Sequence, residues 1–293
     1  MTSDPATDAF VEHRNLLFTV AYELLGSAAD AEDVLQETWM RWADVDLAEI
    51  RDRRSYLVRI TSRLALNRLR TLARRKESYV GPWLPEPLLT APDVAEDVEL
   101  AESVSMAMLL VLETLTPTER AVFVLREVFD LGYDEIASAV DKSPAAVRQI
   151  AHRAREHVAA RRPREVVTSA ESRRVLESFK TAAATGDLQS LLDVLAPDVV
   201  LLSDGGGIKQ AALRPILGAE KVVRFLAGVS GRNAPASVED AVINGSPALS
   251  LHLGGELDGI LAVRVEGGQV TGLYYVRNPE KLGHVGAVVE LAR

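Results

Sequence analysis

The sequence predicts a multidomain chain: two all-α domains, the second carrying a helix-turn-helix, followed by an α+β domain. Three observations lead there. Apolar residues recur at helical spacing from Phe10 to Arg75 and again from Val94 to Leu115. Between Thr116 and Arg162 there are two consecutive helix starts, the second opening an arginine-rich helix. From Ala236 onward the pattern changes to short alternating runs separated by turns such as Asn244-Gly245 and Gly267-Gly268. At 293 residues the chain is also long for one hydrophobic core, so two or three domains are expected.

In the first segment, Phe10 to Leu25 gathers Val11, Leu16, Val20 and Leu24 on one side of a helix that Gly26 closes. Ser27, with Asp30 three residues on, starts the next helix, Ala28 to Ala43. Ser55 to Arg75 reads as a third, apolar at Leu57, Ile60, Leu64, Leu66 and Leu69, with arginines on the remaining faces. Gly81-Pro82-Trp83-Leu84-Pro85-Glu86-Pro87 cannot continue a helix, because its prolines lack amide donors and hold the backbone extended. Tyr79, Trp83 and Leu84 give this linker an apolar bulk that predicts docking on another part of the chain.

Thr116-Pro117-Thr118-Glu119 reads as a capping box, with Thr116 as the cap and Glu119 reaching back to its amide. A short helix, Asp134 to Val140, follows. Asp141-Lys142 turns the chain, and Ser143-Pro144 starts a second helix. This geometry lays a basic recognition helix into a major groove. Arg148, Gln149 and Arg153 lie on adjacent turns of one face, and their donors suit guanine and adenine edges. Lys142 and Arg155 are read as phosphate contacts, and His152 as packing or touching the backbone. Pro163 ends the region, and Val166 to Ala170 forms a boundary.

Beyond that boundary, helices are expected at Glu171 to Ala184, Leu188 to Leu195 and Ala219 to Val229. Strands are expected at Val199 to Ser203, Ser237 to Ile243, Ala248 to Leu253, Gly259 to Glu266 and Val270 to Val276. Helices followed by a curved antiparallel sheet make an α+β domain.

A net charge of −9 argues against nucleic acid, but the charges are segregated. Arg51 to Lys76 and Arg148 to Arg164 are basic blocks; Glu86, Asp93, Glu96, Asp97, Glu99 and Glu102 form an acidic stretch between them. The chain has no cysteine, which excludes disulfides and thiolate metal sites. No apolar run is long enough to span a membrane, and the first residues lack signal-peptide character, so a cytoplasmic protein without cofactor or metal is expected.

Asp30-Ala-Glu-Asp-Val-Leu-Gln-Glu-Thr-Trp39 with the arginine-rich Tyr56 to Arg70 helix resembles the second conserved region of extracytoplasmic function (ECF) sigma factors. Leu115 to Arg155 resembles their fourth region. Gly81 to Leu88, the Asp204-Gly205-Gly206-Gly207 turn and Asn278-Pro279-Glu280-Lys281-Leu282 resemble signatures of the subgroup with a fused SnoaL-like domain.

The resemblance implies residues 1–78 as region 2, 79–98 as a linker, 99–163 as region 4, and 169–293 as a cone-shaped SnoaL-like regulatory domain and tail. It implies two partners, core RNA polymerase (largest-subunit clamp and flap) and promoter DNA, and no enzymatic activity. Asp30, Glu32, Asp33, Gln36, Glu37 and Trp39 would grip the clamp coiled coil; Arg59, Arg63, Asn67, Arg70 and Arg74 would face the minus-ten element; the fourth-region helix would read the minus-thirty-five element. Asn67 stands where the subgroup more often has Asp, and Arg63 replaces a common Asn. Trp83, Leu84 and Pro85 are expected to bind the Asp204–Gly207 turn or the Asn278–Leu282 tail.

The alternative reading is a DNA-binding module fused to a domain that binds or processes a small molecule. Its candidate residues are Asp204, Arg214, His252, Asp258 and Tyr274, among which spacing reveals no base and orienting partner.

Overall fold

Helix α1 (Pro5–Leu25) starts where Asp4 accepts from the Ala6 amide and ends at Gly26, whose left-handed backbone lets its amide reach the Tyr22 carbonyl. Ser27 caps α2 (Ala28–Ala43) by accepting from the Asp30 amide. Helix α3 (Arg53–Lys76) packs across both, so Trp42 is wholly buried, donating to the Ala6 carbonyl at 2.8 Å. In this computed structural model the described residues are 4–76, 78–91, 94, 97–162, 167–233 and 237–293. They form two units. The first comprises Met1–Glu77, Leu109–Arg162 and Glu290–Arg293; the second comprises Ser78–Met108 and Pro163–Val289.

The run expected as one helix from Val94 to Leu115 is broken into α4 (Val98–Val104) and α5 (Met106–Leu112). The Ser105 hydroxyl accepts from the Met108 amide and so caps a new start inside an apolar run. The helix-turn-helix then follows as expected. Thr116 and Glu119 form the reciprocal capping box of α6 (Pro117–Phe123). A π-helical turn, Val124–Val128, leads to α7 (Tyr133–Val140), and Asp141, at φ 56°, turns the chain into α8 (Pro144–Ala159). Within the first unit α6 and α7 pack on α3. Pro163, Val166 and Ala236, read as boundaries in the sequence, and Asp93 and Glu96 of the acidic stretch, lie outside the described residues.

In the second unit, α9 (Ser169–Thr185), α10 (Leu188–Val194) and α11 (Ala219–Asn233) accompany a six-stranded sheet. Its strands are β1 (Leu195–Asp204), β2 (Ile216–Leu217), β3 (Ser237–Ile243), β4 (Ser246–Leu253), β5 (Glu256–Glu266) and β6 (Gln269–Val276), in the spatial order β2-β1-β6-β5-β4-β3. The expectation of an antiparallel sheet needs correction at one pair: β1 and β6 run parallel, with Leu202 opposite Tyr274. β1 enters from α10 and β6 from a hairpin, so the same direction is imposed by the intervening helix and meander. Leu176, Phe179, Val199, Leu201, Leu249 and Leu273 fill the core between helices and sheet, giving the α+β cone.

Candidate functional site

Two basic faces stand exposed on the first unit. On α3, Arg59, Arg63, Asn67 and Arg70 are all exposed, while Leu57, Leu64, Leu66 and Leu69 are buried. Steps of three and four residues put the polar set on one stripe of the helix. Arg59 lies over the Tyr56 ring at 4.8 Å, and Arg70 donates to Asn67 Oδ1 at 3.4 Å. Arg74 belongs to the same helix, but its side chain lies outside the described set.

The second face is on α8 and its leading turn. Lys142, Arg148, Gln149, His152, Arg153 and Arg155 are exposed, whereas Val147, Ile150, Ala151 and Ala154 are buried. Arg155 is 3.6 Å from Glu127 and His152 is 3.7 Å from Glu156.

The acidic stripe on α2 is less free than its sequence suggests. Arg68 Nε donates to Asp30 at 2.7 Å and Arg68 Nη2 to Asp33 at 3.0 Å. Arg14 grips both oxygens of Glu32 at 2.8 and 2.9 Å, and Arg41 meets Glu37 at 2.7 Å. Burial opposes the charge on Arg68, but the hydrogen bond to Asp30 is the larger effect and raises its pKa. Gln36 is exposed, and the half-buried Trp39 meets Phe10 edge-on at 5.2 Å. Arg14, Arg68 and Arg41 were not singled out from sequence as partners; only Arg41 carries a local signal, an i,i+4 spacing from Glu37.

In the second unit the linker is held by the domain that follows region 4 in sequence. Asp204 is wholly buried at the end of β1. Its carboxylate accepts from the Tyr79 hydroxyl at 2.7 Å, the Leu84 amide at 2.8 Å, the Gly206 amide at 3.0 Å and Lys281 Nζ at 2.7 Å. Lys281 also donates to the Leu84 carbonyl, and its ammonium lies over the Tyr79 and Trp83 rings at 4.7 and 4.3 Å. Asn278 Nδ2 donates to the Tyr79 hydroxyl at 2.9 Å, and burial together with the Asp204 charge raises the Tyr79 pKa. Leu84 and Leu88 are fully buried, and Pro85 is buried beside them.

Gly206 has φ +62°, and a Cβ there would come 2.3 Å from Asn278 Nδ2, so the glycine is required. Gly205 would collide with the Lys209 carbonyl in the same way, while Gly207, at φ +75°, faces Val80. Pro279 and Glu280 are exposed; Leu282 is buried. The Trp83–Leu84–Pro85 linker is therefore brought together with both the glycine turn and the tail.

A second attachment lies at the β3–β4 turn. Asn244 and Gly245 have φ 53° and 69°, the tight hairpin geometry that Asn-Gly favours. The Asn244 side chain accepts from the Leu88 amide at 3.0 Å and donates to the Val104 carbonyl at 2.8 Å. Leu89 pairs antiparallel with Ile243, so the linker adds a short strand to the exposed edge of β3, and Thr90 pairs in parallel with Val289 outside it. Asn244 was read from sequence only as a turn residue.

The candidate catalytic residues do not form a site. Asp204 is committed to the linker. Burial would raise the Asp258 pKa, but hydrogen bonds from Arg277 and Lys209 outweigh it and hold that pKa low. Arg214 is exposed and Tyr274 is buried. His252 sits on β4 opposite Ser237 and Leu257, and its buried Nδ1 has no hydrogen-bond partner among the described residues. A cleft of about 140 Å³ lies between α4, the start of α9 and the β4–β5 region rather than in the cone.

The Sigma-70 region 2 family matches residues 9–75, and the Sigma-70 region 4 family matches residues 105–158. The ECF RNA polymerase sigma factor SigJ of Mycobacterium tuberculosis is 38% identical over 284 residues, covering 92% of this chain and 90% of that protein. The chain belongs to the ECF sigma factor family. A probable ECF sigma factor, SigI, also of Mycobacterium tuberculosis, is 33% identical with 95% of each chain covered. The crystal structure of Mycobacterium tuberculosis SigJ matches with TM-score 0.78 and 34% identity, over 95% of this chain and 99% of that one. ECF sigma factors are not enzymes; they bind core RNA polymerase and promoter DNA and direct promoter-specific transcription initiation. Among the described residues, no helix is long and apolar enough to cross a membrane and no side-chain group is arranged to hold a metal ion.

Proposed function

We propose that the domain after region 4 regulates this sigma factor in place of a separate anti-sigma protein, by holding the segment that joins the two promoter-reading regions. The observation that carries this reading is the Asp204–Lys281 pair closed over Tyr79, Trp83 and Leu84. Residues 78–108, the linker and the first stretch of region 4, lead from region 2 toward the helix-turn-helix, yet they cluster with the C-terminal domain. Whatever loosens that domain's grip changes the reach between the two readers.

In this reading Arg59, Arg63, Asn67, Arg70 and Arg74 face the minus-ten element, and Arg148, Gln149 and Arg153 read base edges of the minus-thirty-five element. Lys142 and Arg155 hold phosphates, with His152 at the margin. Asp30, Glu32, Asp33, Gln36, Glu37 and Trp39 meet the polymerase clamp, exchanging internal ion pairs for partner ones, and region 4 meets the flap. The test is transcription from a promoter library by reconstituted polymerase, comparing the full-length chain with Gly206→Val, Asp204→Asn and a chain lacking residues 169–293. Altered promoter output in the point variants is expected. Equal output from every form would sink the regulatory claim.

A further inference from the structure

We infer that Tyr133 is a positioning residue for promoter recognition, holding Arg148 in the pose from which it reads a base edge. The inference rests on the assignment of Arg148 to the minus-thirty-five element. Tyr133 is the first residue of α7, half-buried where that helix meets α8. The Arg148 guanidinium carbon lies 5.5 Å from the centroid of its ring, and the Arg126 guanidinium carbon lies 5.1 Å from it.

The two arginines play unequal parts. Arg126 Nη1 donates to the Leu131 carbonyl at 2.9 Å and pairs with Asp130 at 3.0 Å, so its charge is compensated and its position fixed. It braces the ring. Arg148 is exposed and, among the described residues, makes no ion pair; the ring is what orients it.

The choice of an aromatic partner has a chemical consequence. A carboxylate would occupy the same fork of N–H donors that guanine O6 and N7 require. A π-face attracts the cation through its quadrupole and leaves the donors at the guanidinium edge unspent. Arg155 on the same helix is instead paired with Glu127, as suits a side chain that does not read bases. Holding a long flexible arginine before DNA arrives reduces the ordering cost of the bound state.

The experiment is selection from a randomised minus-thirty-five library by transcription with core polymerase and full-length protein. Arg148→Ala identifies the base pair whose preference depends on that side chain. Tyr133→Leu should relax preference at that same base pair about two- to fivefold, the size of an exposed cation–π contact, and leave minus-ten preference intact. Tyr133→Phe, which keeps the ring, should restore it. In an Arg148→Ala background Tyr133→Leu should add nothing at that position. Tyr133→Met carries the same comparison if leucine unsettles the turn.

If Arg148→Ala shifts no base preference, the assignment of Arg148 falls and the inference with it. If Arg148→Ala acts but removing the ring does not, or if phenylalanine fails as leucine does, the positioning role alone is overturned.

Discussion

Lys281 Nζ lies 2.7 Å from Asp204 Oδ2, in a place where the aspartate is fully buried and the lysine side chain is 8% exposed. Desolvating both charges is costly, and the surroundings offset it with hydrogen bonds from Tyr79, Leu84 and Gly206 to the carboxylate and with two aromatic faces around the ammonium. Removing one charge strands the other. Asp204→Asn should therefore lower the unfolding free energy by about 3–5 kcal/mol in a urea titration. The double variant Asp204→Asn with Lys281→Met should recover a large part of that loss, because no buried charge remains. Equal unfolding midpoints for wild type and Asp204→Asn would show that the pair does not hold the linker.

How much of this was legible in the sequence depends on the range of the interaction. Caps at Ser27, Thr116 and Ser143 satisfy amides three residues away, so their helices start where the local signal places them. Ser105 is the same device hidden in an apolar run, where periodicity masks it. Tyr79, Trp83 and Leu84 announced docking because apolar bulk in a proline-rich segment has no local use. Their partners could be named only through the resemblance, since Asp204 and Lys281 lie far along the chain and carry no spacing signal. Asn244 was invisible for that reason too: its turn is local, but its hydrogen bonds to Leu88 and Val104 are not. The Arg68 bonds to Asp30 and Asp33 cross between helices, so an acidic stripe that reads as open is internally compensated.

Asp258 gives the C-terminal domain a pH dependence of definite sign. Arg277 and Lys209 hold its pKa below the ordinary value of 3.8 despite partial burial. A depressed native pKa contributes stability above the unfolded value and loses it as pH falls through the native one. The unfolding free energy should therefore fall as pH drops below about 4, and Asp258→Asn should flatten that part of the profile while starting from lower stability at pH 7. Urea midpoints measured between pH 2.5 and 7 check this. A mutant profile parallel to wild type would remove Asp258 as the source.

Arg120 makes the corresponding connection inside the first unit. It is 1% exposed, in α6 of region 4, yet Nε and Nη2 both donate to the carbonyl of Glu23 at 3.1 and 2.9 Å, while Nη1 pairs with Glu113. Glu23 lies in the last turn of α1, where helix carbonyls lack internal partners and the helix dipole favours a cation. Lysine cannot reproduce a fork that satisfies one carbonyl twice and a carboxylate besides. Arg120→Ala and Arg120→Lys should both weaken the packing of region 4 on region 2, by about 2–4 kcal/mol for alanine. The absence of cysteine makes this measurable by spin labels at introduced cysteines replacing the exposed Glu12 and Ser138. Wild type should give one narrow distance, and either variant a broadened distribution extending to longer separations. On the proposed assignment of α3 to the minus-ten element and the helix-turn-helix to the minus-thirty-five element, roughly two helical turns or about 70 Å apart, the two must part to hold both. Loosening Arg120 should therefore also lower the protein concentration needed to saturate core polymerase. A distance distribution unchanged in both variants would mean that the remaining contacts of α3 with α6 and α7 hold the two regions together without it.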